Sequence, residues 1–381
     1  MKFTIKRELL LDALNKVSKA ISTKNLIPVL AGIKFDLKKD KLILTASDND
    51  IVIQTTIDND NIEDFKIENE GSIIIPGKYI LDTVRKSDGK YINVEVVDGL
   101  KILIYTEKIE NPGKSECNLI GISESEYPKI SLEESKKKIC INSKTFRDLV
   151  NQTVFAASNE ESKPILNGIN MNIVGDILEC NSTDSYRLAR KIVKLDKSSD
   201  DKYNIVVPSR NILEFAKLLT EDDDIIELHI FSNKILFKIG NLKFESRLIN
   251  GTYPNTSNLL PEDSLLVITT KLSEFYNCID RVSVLTNDKE KNIVTLETND
   301  DMLILKSSSV EIGRAEEEMP IVKNNKENIK ISFSAKYMME ALKSFSTETV
   351  DIHFVGEIKP ILIKSSEDDS LTQLVLPIRT Y

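Results

Sequence analysis

Few residues of this chain combine the type and the spacing that chemistry requires. Its two histidines, His229 and His353, each lie in a run of apolar and acidic residues that reads as a strand, with no Cys or Ser placed to pair with them. A nucleophilic or acid–base site needs such a partner within hydrogen-bond reach. Gly113-Lys114-Ser115 has the ending of a phosphate-binding loop, but the glycine required five residues earlier is Lys108, which leaves a turn. Asp222-Asp223-Asp224 lacks the alternating ligands and closing glutamate of a calcium loop and reads as a solvated turn between helix and strand. No Gly-x-Gly-x-x-Gly phrase occurs. Cys117, Cys140, Cys180 and Cys278 are 23, 40 and 98 residues apart, a spacing that fits neither a zinc site nor a disulfide framework and reads as reduced thiols. The pattern points away from catalysis and calls for no cofactor and no metal.

What remains is a protein whose work lies in surfaces, and the elements that build them are periodic. At 381 residues, 41% hydrophobic and 29% charged, the chain suits two or three globular domains. No apolar run approaches the roughly 18 residues that span a bilayer. Charges at Lys2, Lys6, Arg7 and Glu8 fall where a signal peptide needs an apolar stretch, so the expected location is cytoplasmic, with no membrane partner.

Three phrases recur along the chain. Ile74-Ile75-Pro76-Gly77-Lys78-Tyr79-Ile80-Leu81 returns as Val206-Val207-Pro208-Ser209-Arg210-Asn211-Ile212-Leu213 and as Ser332-Phe333-Ser334-Ala335-Lys336-Tyr337-Met338-Met339, at offsets of 132 and 126 residues. Each is an apolar strand end, a small residue or proline, a basic residue and an apolar pair that opens a helix. Tyr127-Pro128 returns as Tyr253-Pro254, and Pro28 to Ile33 as Pro164 to Ile169. Each repeat also opens with an amphipathic helix: Leu10, Leu14, Val17 and Ile21 in the first, Phe146, Val150, Thr153 and Val154 in the second, Phe275, Ile279 and Val282 in the third. Short alternating runs such as 41–46, 92–96 and 234–239 read as strands. The expectation is an α+β chain of three tandem two-helix, antiparallel-sheet domains, with bounds 1–128, 129–254 and 255–381.

Charge is unevenly shared. The chain carries −9, but the six segments expected to be helical (6–20, 77–90, 143–157, 209–219, 271–285 and 335–344) carry +7 together, leaving −16 for the rest. Helices facing a common channel would attract a polyanion there while the sheets repel one outside. The bias is modest, which suits a protein that surrounds DNA and still slides rather than one gripping a fixed sequence.

Several ordered segments carry a resemblance. The C-terminus, Gln373-Leu374-Val375-Leu376-Pro377-Ile378-Arg379-Thr380-Tyr381, is similar to the apolar-Pro-apolar-Arg ending of one family and close to the ending of its Gram-positive members. Thr183-Asp184-Ser185-Tyr186-Arg187-Leu188 resembles that family's second-domain signature, and Leu166-Asn167-Gly168 and Tyr253-Pro254 fall in the matching order. The family is the bacterial sliding clamps, the beta subunit of DNA polymerase III, and the resemblance spans the whole chain.

The resemblance implies a non-enzymatic processivity factor. Two chains close head to tail as a homodimeric ring around double-stranded DNA, each contributing half, with helices lining the hole. The replicative DNA polymerase, the clamp loader, and repair and other clamp-binding proteins would be its partners, the loader supplying the ATP-driven step for which this chain has no phosphate loop. It further implies a peptide pocket walled by Leu166, Thr183, Ser185, Tyr186, Arg187, Leu188, Pro254, Asn258, Leu259, Ile358, Leu376, Pro377, Ile378 and Arg379, with Arg187 and Arg379 as polar anchors at the rim. Asn258 stands where many relatives have Arg, and Leu376 and Ile378 where Met is frequent. The dimer contact would involve Cys117 and Leu119 on one side and Val284 and Leu285 on the other. Candidates to face DNA are Lys24, Lys78, Arg85, Arg147, Lys163, Arg210 and Lys336, with Lys24 and Lys163 just ahead of strands initiated by proline. On the residues alone, a repeated interaction scaffold that never meets DNA stays open, as does an enzyme with an unrecognised site between domains.

Overall fold

A computed structural model describes residues 1–21, 27–107, 113–261, 263–286, 292–309 and 311–379. Six α-helices occur among them, one pair per repeat: α1 (Arg7–Val17) and α2 (Gly77–Lys86), α3 (Ser143–Thr153) and α4 (Ser209–Ala216), α5 (Leu272–Ser283) and α6 (Ala335–Leu342). The periodic apolar positions are what each helix buries. Leu10, Leu14 and Val17 are buried on α1, Phe146 and Val150 on α3, and Phe275, Ile279 and Val282 on α5. The second helix of each pair starts where expected. The strands Gly71–Pro76, Arg187–Pro208 and Lys330–Ser334 run directly into α2, α4 and α6. Pro76 and Pro208 close their strands immediately ahead of α2 and α4, where a residue without an N–H cannot continue the ladder, and Ser334 takes that place before α6.

The chain divides into two compact units, Met1–Ser143 with Lys217–Leu248, and Lys144–Ala216 with Ile249–Tyr381. These units cut across the repeats, because strands of successive repeats join single sheets. In the first unit, an eight-stranded sheet runs in the spatial order 139–142, 225–230, 234–239, 242–247, 51–58, 41–47, 32–37, 71–76, and Leu242 pairs with Thr55 where the repeats meet. Its second sheet has the order 65–69, 2–6, 91–98, 101–107, 114–120. In the second unit, 168–183 and 187–208 continue through 368–375 into the strands of the third repeat, and a separate four-stranded sheet has the order 313–320, 302–309, 293–299, 330–334. Burial alternates along these strands, as along Ile51–Asp58, because successive side chains point to opposite faces.

Three expectations need correction. Ile21 and Val154 lie beyond their α-helices, since α1 passes into a 3-10 turn at Ser18–Ala20 and α3 into one at Val154–Ala156. Pro28 and Pro164 open short 3-10 turns rather than strands. The strands begin at Gly32 and Gly168, where a β-carbon would lie 2.3 Å from Ile74 Cγ2 and 2.6 Å from Val206 Cγ1 respectively. Finally, the helices are shorter than the segments expected from the sequence. Their observed bounds enclose a net +2, the remaining positive charge lying on flanking residues such as Lys6, Lys19, Lys217, Lys271 and Lys343.

Candidate functional site

The second unit holds a cavity of about 600 Å³ where the C-terminal segment leaves its sheet. Strand Asp368–Val375 pairs with strand Arg187–Pro208, Val375 opposite Arg187 and Leu374 opposite Leu188. The chain then turns out as 376–379, pinned by the Leu376 N–H donating to Tyr186 O (2.9 Å) and the Ile378 N–H donating to Ser332 O (2.7 Å). Pro377 lies between these two anchors. One wall of the cavity is therefore Leu376, Pro377, Ile378 and Arg379, and the other is Tyr186, Asn292, Ser334, Lys336 and Tyr337.

A tight turn presents Tyr186. The Asp184 carboxylate accepts from the backbone N–H groups of Tyr186 (2.9 Å) and Arg187 (3.1 Å), and Thr183 Oγ1 donates to Arg187 O (2.5 Å). Ser185 is forced to φ 79°, a left-handed conformation uncommon for a residue with a β-carbon. Tyr186 emerges 55% exposed and stacks on Tyr337 of α6, ring centroids 6.3 Å apart at 24°. Burial, and then Asp184 nearby, push the Tyr337 phenol above its ordinary pKa.

Arg187 is placed beneath the rim, not on it. It is buried, and its guanidinium donates to Asp184 Oδ2 (2.9 Å), to Phe155 O (2.7 Å) and to Glu340 Oε2. Its carbon Cζ lies 4.5 Å from the centre of the Tyr337 ring. Every guanidinium nitrogen is thus committed inside the protein, and Arg187 ties the Asp184 turn to α6.

Of the other expected pocket residues, Leu166, Thr183, Ser185, Leu188, Pro254, Asn258, Leu259 and Ile358 do not line this cavity. Leu188 is buried with Leu362 and Leu374, packed by Leu260 and Val355. Leu166 is buried with Val206 and Tyr253, and the Tyr253 hydroxyl accepts from the Thr183 N–H at 3.0 Å. Leu259, on the 3-10 turn Ser257–Leu259, is 50% exposed, and Ile358, in the turn between strands 349–354 and 361–365, is 62% exposed. Pro254 and Asn258 are exposed. Leu376 is 36% exposed, so an apolar floor and open apolar flanks coexist here.

Tyr337, Ser334, Asn292 and Glu340 do not stand out as site residues in the sequence. Tyr337 and Ser334 sit inside the third repeated phrase, which marks a helix start and nothing more. Lys336, expected to face DNA, lines this cavity. Of the other candidates, Lys78, Arg85, Lys163 and Arg210 are exposed and Arg147 is half-buried, while Lys24 lies outside the described residues. Arg85 is engaged with Asn15 (3.2 Å) and Asp82 (3.6 Å), and Lys163 donates to Ser185 Oγ (3.3 Å). At the proposed dimer contact, Val284 is 76% exposed at the end of α5 and Leu285 is half-buried. Cys117 and Leu119 are half-buried on the edge strand Lys114–Ile120, with Cys117 Sγ 3.7 Å from Thr83 Oγ1 of α2.

The weaker chemical candidates take structural places. Lys114 pairs with Glu116 (2.7 Å) and lies over the Tyr105 ring, and residues 108–112 fall outside the described chain. Residues 222–224 form an exposed turn between α4 and strand Ile225–Ile230. His353 does have a serine partner, since its Nδ1 is 3.1 Å from Ser264 Oγ, a contact between positions 89 residues apart. Burial, then Lys364, lower its pKa, so the pair favours a neutral imidazole. No helix among the described residues is long and apolar enough to cross a membrane.

Comparison with known proteins accounts for the whole chain. The family described as DNA polymerase III beta subunit, N-terminal domain, matches residues 1–131, the central domain of the same subunit 140–255, and its C-terminal domain 257–379. The beta sliding clamps of Staphylococcus epidermidis and Staphylococcus aureus are each 38% identical over 383 residues, covering 100% of both chains. The crystal structure of the Bacillus subtilis DNA polymerase sliding clamp superimposes with a TM-score of 0.95 at 35% identity, again over 100% of both chains. That of the Streptococcus pneumoniae DNA polymerase III beta chain gives 0.92 at 30%.

Proposed function

This chain belongs to the DNA polymerase III beta subunit family, the beta sliding clamps, and from that premise we propose how its own residues carry the work. It is a processivity factor and not an enzyme. As a homodimeric ring it encircles duplex DNA and tethers the replicative polymerase, and the clamp loader and repair proteins engage the same molecule. Its place of work is the cytoplasm. The three repeats are bounded at 1–128, 129–254 and 255–381.

The partner site is the cavity between Tyr186 and Tyr337 on one side and Leu376 to Arg379 on the other, extended over Leu259 and Ile358. The observation that supports this is an aromatic pair, Tyr186 and Tyr337, lining one cavity together with the apolar segment Leu376-Pro377-Ile378. Such a site accepts a short extended peptide with two apolar side chains. Burying a leucine and a phenylalanine contributes about 3–6 kcal/mol. A micromolar complex requires about 8.2 kcal/mol, so backbone hydrogen bonds and flanking contacts supply the remainder.

Ring closure would use the two open sheet edges, strand Lys114–Ile120 and strand Gly313–Pro320, which are terminal strands in their sheets. An edge strand presents unpaired backbone groups that a second chain can satisfy. Head-to-tail pairing gives a closed two-fold assembly and places Leu119 and Cys117 against Val284 and Leu285 of the other copy. Lys78, Arg85, Arg147, Lys163 and Arg210, with Lys24, supply the weak, sequence-independent attraction for phosphate that sliding tolerates.

The direct test is fluorescence anisotropy with a labelled Gln-x-x-Leu-Phe peptide. Saturable binding to the intact chain, lost in a chain ending at Val375 and in Leu376→Asp, is the expected result. Equal binding by all three would move the site elsewhere.

A further inference from the structure

The segment joining the first two repeats is fastened to the sheet of the first unit by an unusual polar group. Lys234 donates to Ser131 O (3.3 Å), Lys238 and Lys243 each reach Glu134 (2.8 Å), and Lys138 reaches Glu227. In the middle is His229, only 1% exposed. Its Nδ1 lies 3.1 Å from Ser135 O, and only an N–H can face a carbonyl at that distance. In the neutral ring, Nε2 is then a bare lone pair.

Among the described residues that lone pair has no hydrogen-bond partner, and neither does the buried Oε2 of Glu227, 3.4 Å away, whose nearest cation is the Lys238 ammonium at 3.9 Å. That ammonium is too far to hydrogen-bond to Oε2, and two buried acceptors facing each other at 3.4 Å are stabilised by a positive centre held directly by both. Tetrahedral zinc with ligands at about 2.0–2.1 Å sets neighbouring ligand atoms about 3.3–3.4 Å apart. One carboxylate oxygen of Glu134 completes a group in which all three ligand atoms lie within 4.8 Å of one another.

We propose that Glu134, Glu227 and His229 form a binding site for a divalent metal of the zinc class, with water as the fourth ligand. The backbone carbonyl on Nδ1 is the outer-shell partner that metal-bound histidines ordinarily have, fixing the tautomer and the ring. Glu134 is exposed and provides the way in. Lys238 and Lys243 each hold one oxygen of its carboxylate, Oε2 and Oε1. Both lysines are long and partly exposed, and they swing into water when the metal arrives. Metal and ammonium therefore compete for the same oxygens. Bound metal would lock the connecting segment onto the sheet whose strands come from two repeats.

The test is calorimetric titration of the metal-depleted full-length protein with zinc chloride, with magnesium as control, alongside thermal melting. Expected are one equivalent of zinc bound, a raised melting temperature and no response to magnesium, which prefers oxygen and water ligands. Glu227→Gln and Glu134→Gln each remove a direct ligand and should weaken binding by at least the roughly 10–100-fold that losing an outer-shell partner costs. Lys238→Gln combined with Lys243→Gln should tighten it, which a network of ion pairs alone would not do. Absence of zinc binding, or binding unchanged in both glutamate variants, would overturn the proposal. So would a 15N spectrum showing His229 protonated on both nitrogens and unaffected by zinc, because a proton would then fill the gap.

Discussion

Asn49 and Ser185 occupy the same point of two copies of one turn, and both adopt left-handed backbone, at φ 82° and 79°. In the first repeat Asp48 Oδ1 accepts from the N–H groups of Asp50 and Ile51, and in the second Asp184 Oδ1 accepts from Tyr186 and Arg187. The hydroxyls of Ser47 and Thr183 close both turns by donating to the carbonyls of Ile51 and Arg187. The next strand meets each turn alike, Arg247 N–H donating to Asp50 O and Leu376 N–H to Tyr186 O. The two copies differ in how this adjoining strand continues. Arg247 reaches Asn49 Oδ1 (3.2 Å) over the first turn, whereas Leu376 and Pro377 leave a cavity beside the second. One inherited turn thus serves a closed joint in one repeat and a site in the other.

The backbone at Ser185 gives a first prediction. Ser185→Gly should be neutral or mildly stabilising, because glycine meets no steric penalty at this φ. Ser185→Val should cost about 1–3 kcal/mol in urea unfolding and distort the Tyr186 position, lowering peptide affinity as well. Equal stability of both variants would show that the turn is not held in this conformation.

Arg187 separates two roles by a stability measurement. As a buried tie between Asp184, Phe155 O and Glu340, its replacement in Arg187→Ala should destabilise the chain by about 3 kcal/mol, since it strands buried carboxylate charge. Glu340, about a third exposed, should matter less in Glu340→Gln. A rim anchor would instead lose peptide affinity with its unfolding midpoint intact, and that result would refute the internal role.

His353 sets a pH dependence. Its folded pKa lies below the ordinary 6.5, from burial first and Lys364 second. Above pH 6.5 the ring is neutral folded and unfolded, so stability is fully present. As the pH falls from 6.5 through the lower folded value, the unfolded chain takes up the proton first and stability is lost. Melting temperature should decline across that window in the wild type and decline less in His353→Gln. Parallel profiles would remove His353 from the account.

What could be read in the sequence was local. Leu10, Leu14 and Val17 mark a helix because their spacing of three and four is itself the helical period. Pro76 and Pro208 mark starts because proline acts on its own neighbours. The helix ends were less legible, and the expected helix charge suffered from it: α4 stops at Ala216, leaving Lys217 outside. The Tyr186–Tyr337 stack, the Arg187–Glu340 pair and the Leu242–Thr55 register join positions more than 150 residues apart, and no local spacing encodes them. Family resemblance supplied Arg187 as a pocket residue, but only the fold shows that its guanidinium faces inward.

Ring closure yields the last prediction. Val284 is 76% exposed in the single chain, so Val284→Glu should leave folding stability within about 0.5 kcal/mol. If Val284 is buried against the second copy, the same change places a carboxylate in an apolar interface and should shift sedimentation from dimer to monomer. Topology then links assembly to work. Wild-type protein loaded by a clamp loader onto nicked circular DNA should resist high salt, because a closed ring needs no phosphate contacts to stay on, and should leave when the circle is cut. Val284→Glu should be washed off the circle by salt before any cut. A variant that stays dimeric would displace the contact from Val284, and wild-type protein that survives linearisation in high salt would refute encirclement itself.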